Sequence, residues 1–158
     1  MVGIKMAKIE EKPVTLRTAI AKCEVWLSSE TLEQVLNQTL TKGDVITTAQ
    51  VAGIMAAKRT PEWIPLCHPL NLTHAEVNIE PMQHLDKPIG LEITATIRLE
   101  GKTGVEMEAL TACAAAALTI YDMCKPLQKD IQITHLRLVS KTGGKSGDYV
   151  EIRAGKED

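Results

Sequence analysis

The sequence predicts an α+β domain in which an antiparallel β-sheet is covered by helices on one face. Three observations carry this. Residues 89–100 alternate strictly, with Ile89, Leu91, Ile93, Ala95, Ile97 and Leu99 set against Glu92, Thr94, Thr96, Arg98 and Glu100. That pattern marks a strand with one buried and one wet face, the habit of antiparallel sheets. A long helical stretch follows, from about Gly104 to Lys125, with the nearly apolar middle Ala112-Cys-Ala-Ala-Ala-Ala-Leu118. Predicted strands also cluster instead of alternating one by one with helices, which favours α+β over α/β.

Taken in order, residues 1–12 are charged and unpatterned, and a flexible N-terminal segment is expected there, followed by a single catalytic domain over 13–158. Val14, Leu16, Thr18 and Ile20 alternate, as do Cys23, Val25 and Leu27; the phase slips between Ile20 and Cys23. One bent strand or two short ones are expected. Ser28-Ser-Glu-Thr-Leu32 reads as a helix start, and Leu32, Val35, Leu36 and Leu40 repeat at helical spacing until Lys42-Gly-Asp44 breaks it. Thr47-x-x-Gln50 has the form of a capping box opening a second helix, which Arg59-Thr-Pro61 ends. Pro65 and Pro69 are expected to hold Trp63–Pro69 extended. A strand carries Ala75, Val77 and Ile79 on one face, residues 81–88 read as a loop, and the strand over 89–100 follows. Pro126 ends the long helix, and strands are expected near 131–140 and 148–153. A ferredoxin-like sandwich is the nearest common template for this order.

Length and composition set bounds. The chain has 158 residues, one domain by size, is 44% hydrophobic and has no phenylalanine, so its core is aliphatic. A net charge of −2 gives no global basic field for nucleic acid, although a small anion needs only local cations. Cys23, Cys67, Cys113 and Cys124 form no Cys-x-x-Cys or zinc-like pattern, and reduced thiols in a cytoplasmic protein are the expectation. No metal site and no cofactor are expected. No apolar run reaches the ~20 residues of a membrane span, and Met1–Met6 lacks the apolar region of a signal peptide. Met6 is an alternative start.

The candidate chemistry lies at the two ends of the long helix. At its start stand Glu106 and Glu108. Thr103-x-x-Glu106 also fits a capping box, so a structural role for Glu106 stands beside a functional one; Glu108 lies past any cap. At its finish Asp122 and Lys125 are neighbours at i, i+3. Asp122 is at the unfavourable end of the helix dipole and follows an apolar run, which would raise its pKa, while the ammonium beside it would lower it. Glu108 and Asp122 are fourteen residues apart, roughly 21 Å of rise at ~1.5 Å per residue, so one small centre cannot use both from one helix. Two subunits would be needed, for instance through antiparallel packing of this helix on its symmetry mate; packing of Ala109, Ala112, Cys113 and Ala116 on the chain's own sheet is the competing reading. Lys141-Thr-Gly-Gly-Lys-Ser-Gly147 supplies Lys141, Lys145, a hydroxyl and flexible amides suited to phosphate, but lacks the P-loop spacing. A plain hairpin loop is its alternative. Lys42 is either part of a helix stop or a ligand-facing cation, and His68 is a positioned or simply packed histidine.

Lys42-Gly-Asp-Val, Ala52-Gly-Ile with Ala57-Lys-Arg-Thr60, Ile64-Pro-Leu-Cys-His-Pro-Leu70, Thr103-Gly-Val-Glu-Met-Glu-Ala-Leu-Thr111, Ile120-Tyr-Asp-Met-Cys-Lys125 and Gly143-Gly-Lys-Ser-Gly147 together resemble the cyclic pyranopterin monophosphate synthases of molybdenum cofactor biosynthesis. The resemblance runs from about Thr15 to Val150. It implies a ferredoxin-like fold and a homohexamer, a trimer of dimers with active sites between subunits. It also implies conversion of 3',8-cyclo-7,8-dihydroguanosine 5'-triphosphate to cyclic pyranopterin monophosphate with loss of pyrophosphate, a phosphorus–oxygen lyase reaction. By the same resemblance Asp122 is catalytic with Lys125 beside it; Leu66, Cys67, His68, Met107 and Glu108 bind substrate; and Lys42, Lys141 and Arg17 match the family's cations. Where family members often begin with Met-Val-Asp-Val, this chain has Met6-Ala-Lys-Ile9, which puts Lys8 in place of the aspartate. A non-catalytic nucleotide-binding module is the alternative class, since this fold also serves ligand sensors; a structural oligomerisation domain is a third.

Overall fold

The computed structural model describes residues 3–84 and 87–152. Its strands are β1 (Thr15–Trp26), β2 (His74–His84), β3 (Lys87–Gly101), β4 (Gln132–Thr142) and β5 (Tyr149–Val150); its helices are α1 (Ser29–Leu36), α2 (Val45–Lys58), α3 (Thr60–Trp63) and α4 (Glu106–Cys124). The strands form one sheet in the order β2-β3-β1-β4-β5, and every pairing is antiparallel. Helices fall between β1 and β2 and between β3 and β4, which is the expected α+β, ferredoxin-like arrangement with β5 added at one edge.

β1 is one continuous strand, not two. Arg17, Ala19, Ala21, Cys23 and Val25 all point to the helix-covered face and are buried. The apparent slip in the sequence came from Leu16 and Ile20, which are apolar but belong to the opposite face; Leu16 is well exposed. The irregularity lies in β4 instead. Its pairing with β1 shifts between Ile20 and Ala21 and again between Lys22 and Glu24, with the extra residues on β4. His135 sits there at φ 53°, as β-bulges permit.

The predicted loop over 81–88 is mostly strand. β2 runs on to His84, and Pro81 pairs with Leu91. β2 is an edge strand, and an edge tolerates the N–H that proline lacks. Residues 85 and 86 lie outside the described residues. The last strand is shorter than expected, although Glu151 N still donates to Val139 O at 2.8 Å; Arg153 lies outside the described residues.

Local chemistry explains the helix starts. Ser28 caps α1 by accepting from Thr31 N. α2 opens two residues before the expected capping box. Asp44 Oδ1 accepts from Thr47 N at 3.0 Å, and Gln50 Nε2 donates to Val77 O, not to a cap. α4 begins at Glu106 with no side-chain cap, so the Thr103–Glu106 box does not form and Glu106 is left for other work. Ala109, Ala112, Cys113 and Ala116 are fully buried within the chain's own fold, Ala112 and Ala116 lying against α2 at Gly53. α2 crosses α4 at Gly53, where a Cβ would lie 2.9 Å from Ala112 O and 3.0 Å from Val77 Cγ2. Only glycine allows that approach. By length and composition α4 would span a bilayer, but most of it is buried inside the domain. The core it joins is aliphatic, built on Leu32, Leu91, Ile93, Ile97 and Ile120.

Candidate active site

α4 carries the candidate groups at its two ends, and their surroundings differ. At the N-terminal end, α3 is tied to α4 by a Thr60–Thr111 hydroxyl hydrogen bond of 2.7 Å. That bond sets where the following segment emerges. Ile64-Pro-Leu-Cys67 is a turn closed by Cys67 N donating to Ile64 O at 3.1 Å, tighter than the extended piece expected. Pro65 occupies the position of such a turn that proline's fixed φ favours. Leu66, Cys67 and His68 then face Glu106, Met107 and Glu108 across a cavity of about 200 Å³.

Glu108 is the buried acid of this cavity, with 3% exposure. Loss of hydration, reinforced by the Glu106 charge, lifts its carboxyl to about 7 against the opposing pull of its own backbone amide. It therefore changes charge near neutral pH. The Cys67 thiol is pushed up as well, first by burial and then by the Glu108 charge.

A second cavity, about 300 Å³, opens beside the first, and the two share Thr103, Gly104 and Glu106. Its wall includes Lys12, Arg17, Lys141, Lys145 and Ser146. Pairing of Ala19 with Lys141 puts Lys141 on the helix face of the sheet. There its Nζ lies 3.3 Å from Glu106 Oε1 and donates to Ser146 Oγ at 2.6 Å. Arg17 is buried and its Nε donates to Gly101 O at 2.9 Å. Gly144, at φ +86°, lies against that guanidinium where a Cβ would collide with it. The glycine-rich loop is the hairpin connection between β4 and β5, folded against an arginine, and its lysines line a cavity whose cations could meet phosphate oxygens.

At the C-terminal end of α4, Asp122 is gripped by two lysines. Lys125 Nζ lies 2.8 Å from Oδ1; Lys42 Nζ lies 3.1 Å from Oδ2 and 2.7 Å from the Asp122 carbonyl oxygen. The Lys-Gly-Asp turn therefore delivers a cation to the negative end of the helix, where it is favoured. Asp122 is exposed, and the two competing influences on its carboxyl resolve downward: Lys125 first and Lys42 second hold it below the usual carboxylate range. The same contact raises Lys125. Asp122 borders a separate groove of about 410 Å³, lined by Met55, Arg59, Trp63 and Leu118 among others.

The structure thus brings together Leu66, Cys67, His68, Glu106, Met107 and Glu108 with Arg17, Lys141 and Lys145, and keeps Lys42, Asp122 and Lys125 apart from them. Sequence reasoning missed Lys12 and Arg59. Lys12 lies in an unpatterned segment with no signal to find it by, whereas Arg59 belonged to a recognisable motif. Among the described residues, no three His, Cys, Asp or Glu side chains gather as a metal site would need.

A small α+β domain with a near-neutral buried acid next to a cation-lined cavity is equipped to hold an anionic small molecule and move protons on it. The MoaC family model matches residues 6–144, and the chain belongs to that family. It is 54% identical over 149 residues to the cyclic pyranopterin monophosphate synthase of Chloroflexus aurantiacus, covering 94% of this chain and 90% of that one. The synthase of Chloroflexus aggregans is 54% identical over 147 residues, covering 92% and 86% of the two chains. That of Roseiflexus sp. is 53% identical over 147 residues, covering 92% and 90%.

Proposed function

We infer that the protein is a lyase of molybdenum cofactor biosynthesis that converts 3',8-cyclo-7,8-dihydroguanosine 5'-triphosphate to cyclic pyranopterin monophosphate and releases pyrophosphate. The observation that carries this is the match of more than half the sequence, over nearly its whole length, to enzymes bearing that name. The geometry supports it. A triphosphate needs clustered cations, and the second cavity has Arg17, Lys141 and Lys145 on its wall despite the acidic total charge.

In the reaction, a sugar-derived hydroxyl oxygen bonds to the innermost phosphorus while the bond from that phosphorus to the pyrophosphate oxygen breaks. Atoms balance without a co-reactant. The cations stabilise the charge gathering on the leaving pyrophosphate. His68 and Glu108 hold the guanine-derived ring in the first cavity, with Leu66, Cys67 and Met107 on its walls. Asp122 and Lys125 shuttle the protons of ring opening and cyclisation. An Asp122 held ionised by two ammonium groups is a base in its resting state, and Lys125 is its acid.

These assignments imply a site built from two chains. Glu108 and Asp122 stand fourteen residues apart on one rigid helix, roughly 21 Å of rise. The Asp122 end of one subunit then meets the Glu108 end of another, in a homohexamer arranged as a trimer of dimers. The exposed Val51, Met55, Trp63 and Leu118 around the Asp122 groove suit burial against a second copy. The four free thiols fit a cytoplasmic setting.

Incubation with the cyclised GTP derivative tests the proposal. Pyrophosphate and pterin product in equal amounts are expected. Saturable binding without product would assign the chain to a non-catalytic nucleotide-binding module, and no binding at all would leave a structural role.

A further inference from the structure

Residues 3–12 contain no helix or strand, yet the chain is held in place here: Lys102 Nζ donates to Glu10 O at 2.8 Å and Lys12 N to Ile9 O at 3.1 Å. Along this path Ala7 lines the cavity that holds Cys67, His68 and Glu108. Lys8 and Lys12, with Glu10, Glu11 and Lys145, line a third cavity of about 400 Å³. Lys12 and Lys145 are walls of both this cavity and the one containing Arg17 and Lys141. Each cavity therefore shares walls with the next, from the buried acid, past the arginine and the glycine-rich loop, to the N-terminal lysines.

Positive charge is greatest in the second cavity, where Lys12, Arg17, Lys141 and Lys145 stand against Glu106, and a smaller excess remains in the third, where Lys8, Lys12 and Lys145 stand against Glu10 and Glu11. The second and third cavities together present five cationic side chains, Lys8, Lys12, Arg17, Lys141 and Lys145, against three carboxylates, Glu10, Glu11 and Glu106. Of those carboxylates, Glu106 already faces Lys141. Among the described residues, Lys8, Lys12 and Lys145 make no ion pair. In the third cavity these three ammonium groups outnumber the two carboxylates, Glu10 and Glu11, so the wall keeps a net positive charge that a polyanion would meet.

We propose that the N-terminal segment forms a polyphosphate subsite of the site described above, with Lys8 and Lys12 joining Lys145 to hold the outer two phosphates of the substrate and then the departing pyrophosphate. The proposal rests on the inferred triphosphate substrate for its biological meaning, but inorganic pyrophosphate is a sufficient probe.

The test is calorimetric titration of pyrophosphate into the full-length protein and into Lys8→Ala, Lys8→Arg and Lys5→Ala, at fixed low salt. Lys8→Ala is expected to weaken binding about tenfold, the scale of one charge-assisted contact. Lys8→Arg restores it, and Lys5→Ala, an exposed lysine of the same segment that lines none of these three cavities, matches the parent. In turnover assays Lys8→Ala raises KM for the triphosphate while kcat holds. Unchanged pyrophosphate affinity in Lys8→Ala, or a parent protein that binds no pyrophosphate, overturns the subsite. A parent that binds pyrophosphate through Lys8 yet yields no pterin product overturns the proposed reaction and leaves the subsite standing.

Discussion

The two ends of α4 carry acids of opposite character. Glu108, in the first turn, is buried, and its carboxyl is raised to about 7. Asp122, in the last turn, is exposed and held below the usual carboxylate range by Lys125 and Lys42. One carboxyl has lost water without gaining a counter-charge; the other kept water and gained two. Desolvation and ion pairing push a carboxyl in opposite directions, so a single helix presents a near-neutral acid at one end and a fixed anion at the other. Where two titratable groups are driven apart in this way, acid and base roles separate. The alanine-rich middle has little polar chemistry of its own. It works as a spacer, pinned to β1 and β3 and to α2.

The largest expected effect is on chemistry at the ionised end. Asp122→Asn keeps the shape of the side chain and removes its charge. It is expected to lower kcat about 10²- to 10⁴-fold, the usual worth of a positioned proton-transfer group, while the circular dichroism spectrum and melting temperature stay with the parent's. Near-parent turnover in the folded variant would remove Asp122 from catalysis. A mixture of Asp122→Asn and Glu108→Gln protomers, exchanged through mild denaturation, sharpens the point. If the two ends meet between chains, mixed oligomers regain activity that neither variant has. No recovery would place both groups in the same chain's function, against the two-chain site.

The buried end is read through pH. The folded-state pKa of Glu108 is raised above its ordinary 4.5 to about 7, so the native state binds the proton more tightly than the unfolded chain. Stability from this group is therefore greatest below about 4.5 and is lost as pH rises through 7. At ~1.4 kcal/mol per pH unit, the full loss is about 3 kcal/mol. Urea unfolding of the parent and Glu108→Gln at pH values from 5 to 8 should show the difference between them growing in favour of the glutamine variant. Parallel curves would mean that Glu108 is as well hydrated as Asp122, and the contrast between the ends would fall.

Much of this was legible in the sequence, and the remainder was hidden for identifiable reasons. The β3 alternation and the span of α4 are local patterns, and local patterns survive folding. The motifs at both helix ends were legible for the same reason. What escaped depended on distant partners. The direction of the Asp122 shift is set partly by Lys42, eighty positions away in the chain. Glu106 fitted a cap, but its carboxylate instead faces Lys141 from another element. β1 looked broken because Leu16 and Ile20 are apolar on the uncovered face, and burial, not residue type, decides which alternation is the core's. Asp44 was hidden by its neighbours: Lys-Gly-Asp reads as a break, whereas the aspartate starts the next helix.

The packing of α2 on the spacer can be loosened. Gly53→Ala places a methyl group against Ala112 O and Val77 Cγ2, so α2 must shift from α4. A cost of about 1–3 kcal/mol is expected from such overpacking, measured as a lower denaturation midpoint. Activity should fall less than for Asp122→Asn, because no reacting group is lost. A neutral or stabilising outcome would show that the α2–α4 contact has slack.

The smallest effects on stability are expected at the two lysines beside Asp122. Lys125 acts through the strongest single contact, a hydrogen-bonded ion pair, with Lys42 second. Both side chains are largely exposed, and exposed ion pairs contribute little to stability, so Lys125→Gln and Lys42→Gln should melt with the parent. Their signatures lie in titration. The carboxyl carbon of Asp122, followed by NMR, should titrate at higher pH in Lys42→Gln than in the parent, and higher again in Lys125→Gln. The small stability tied to this depressed carboxyl is present above its unfolded pKa and disappears as pH falls through the folded value, the reverse of Glu108. A larger shift in Lys42→Gln would invert the order. It would make the helix-capping lysine, which also binds the Asp122 carbonyl, the group that sets the charge at this end of α4.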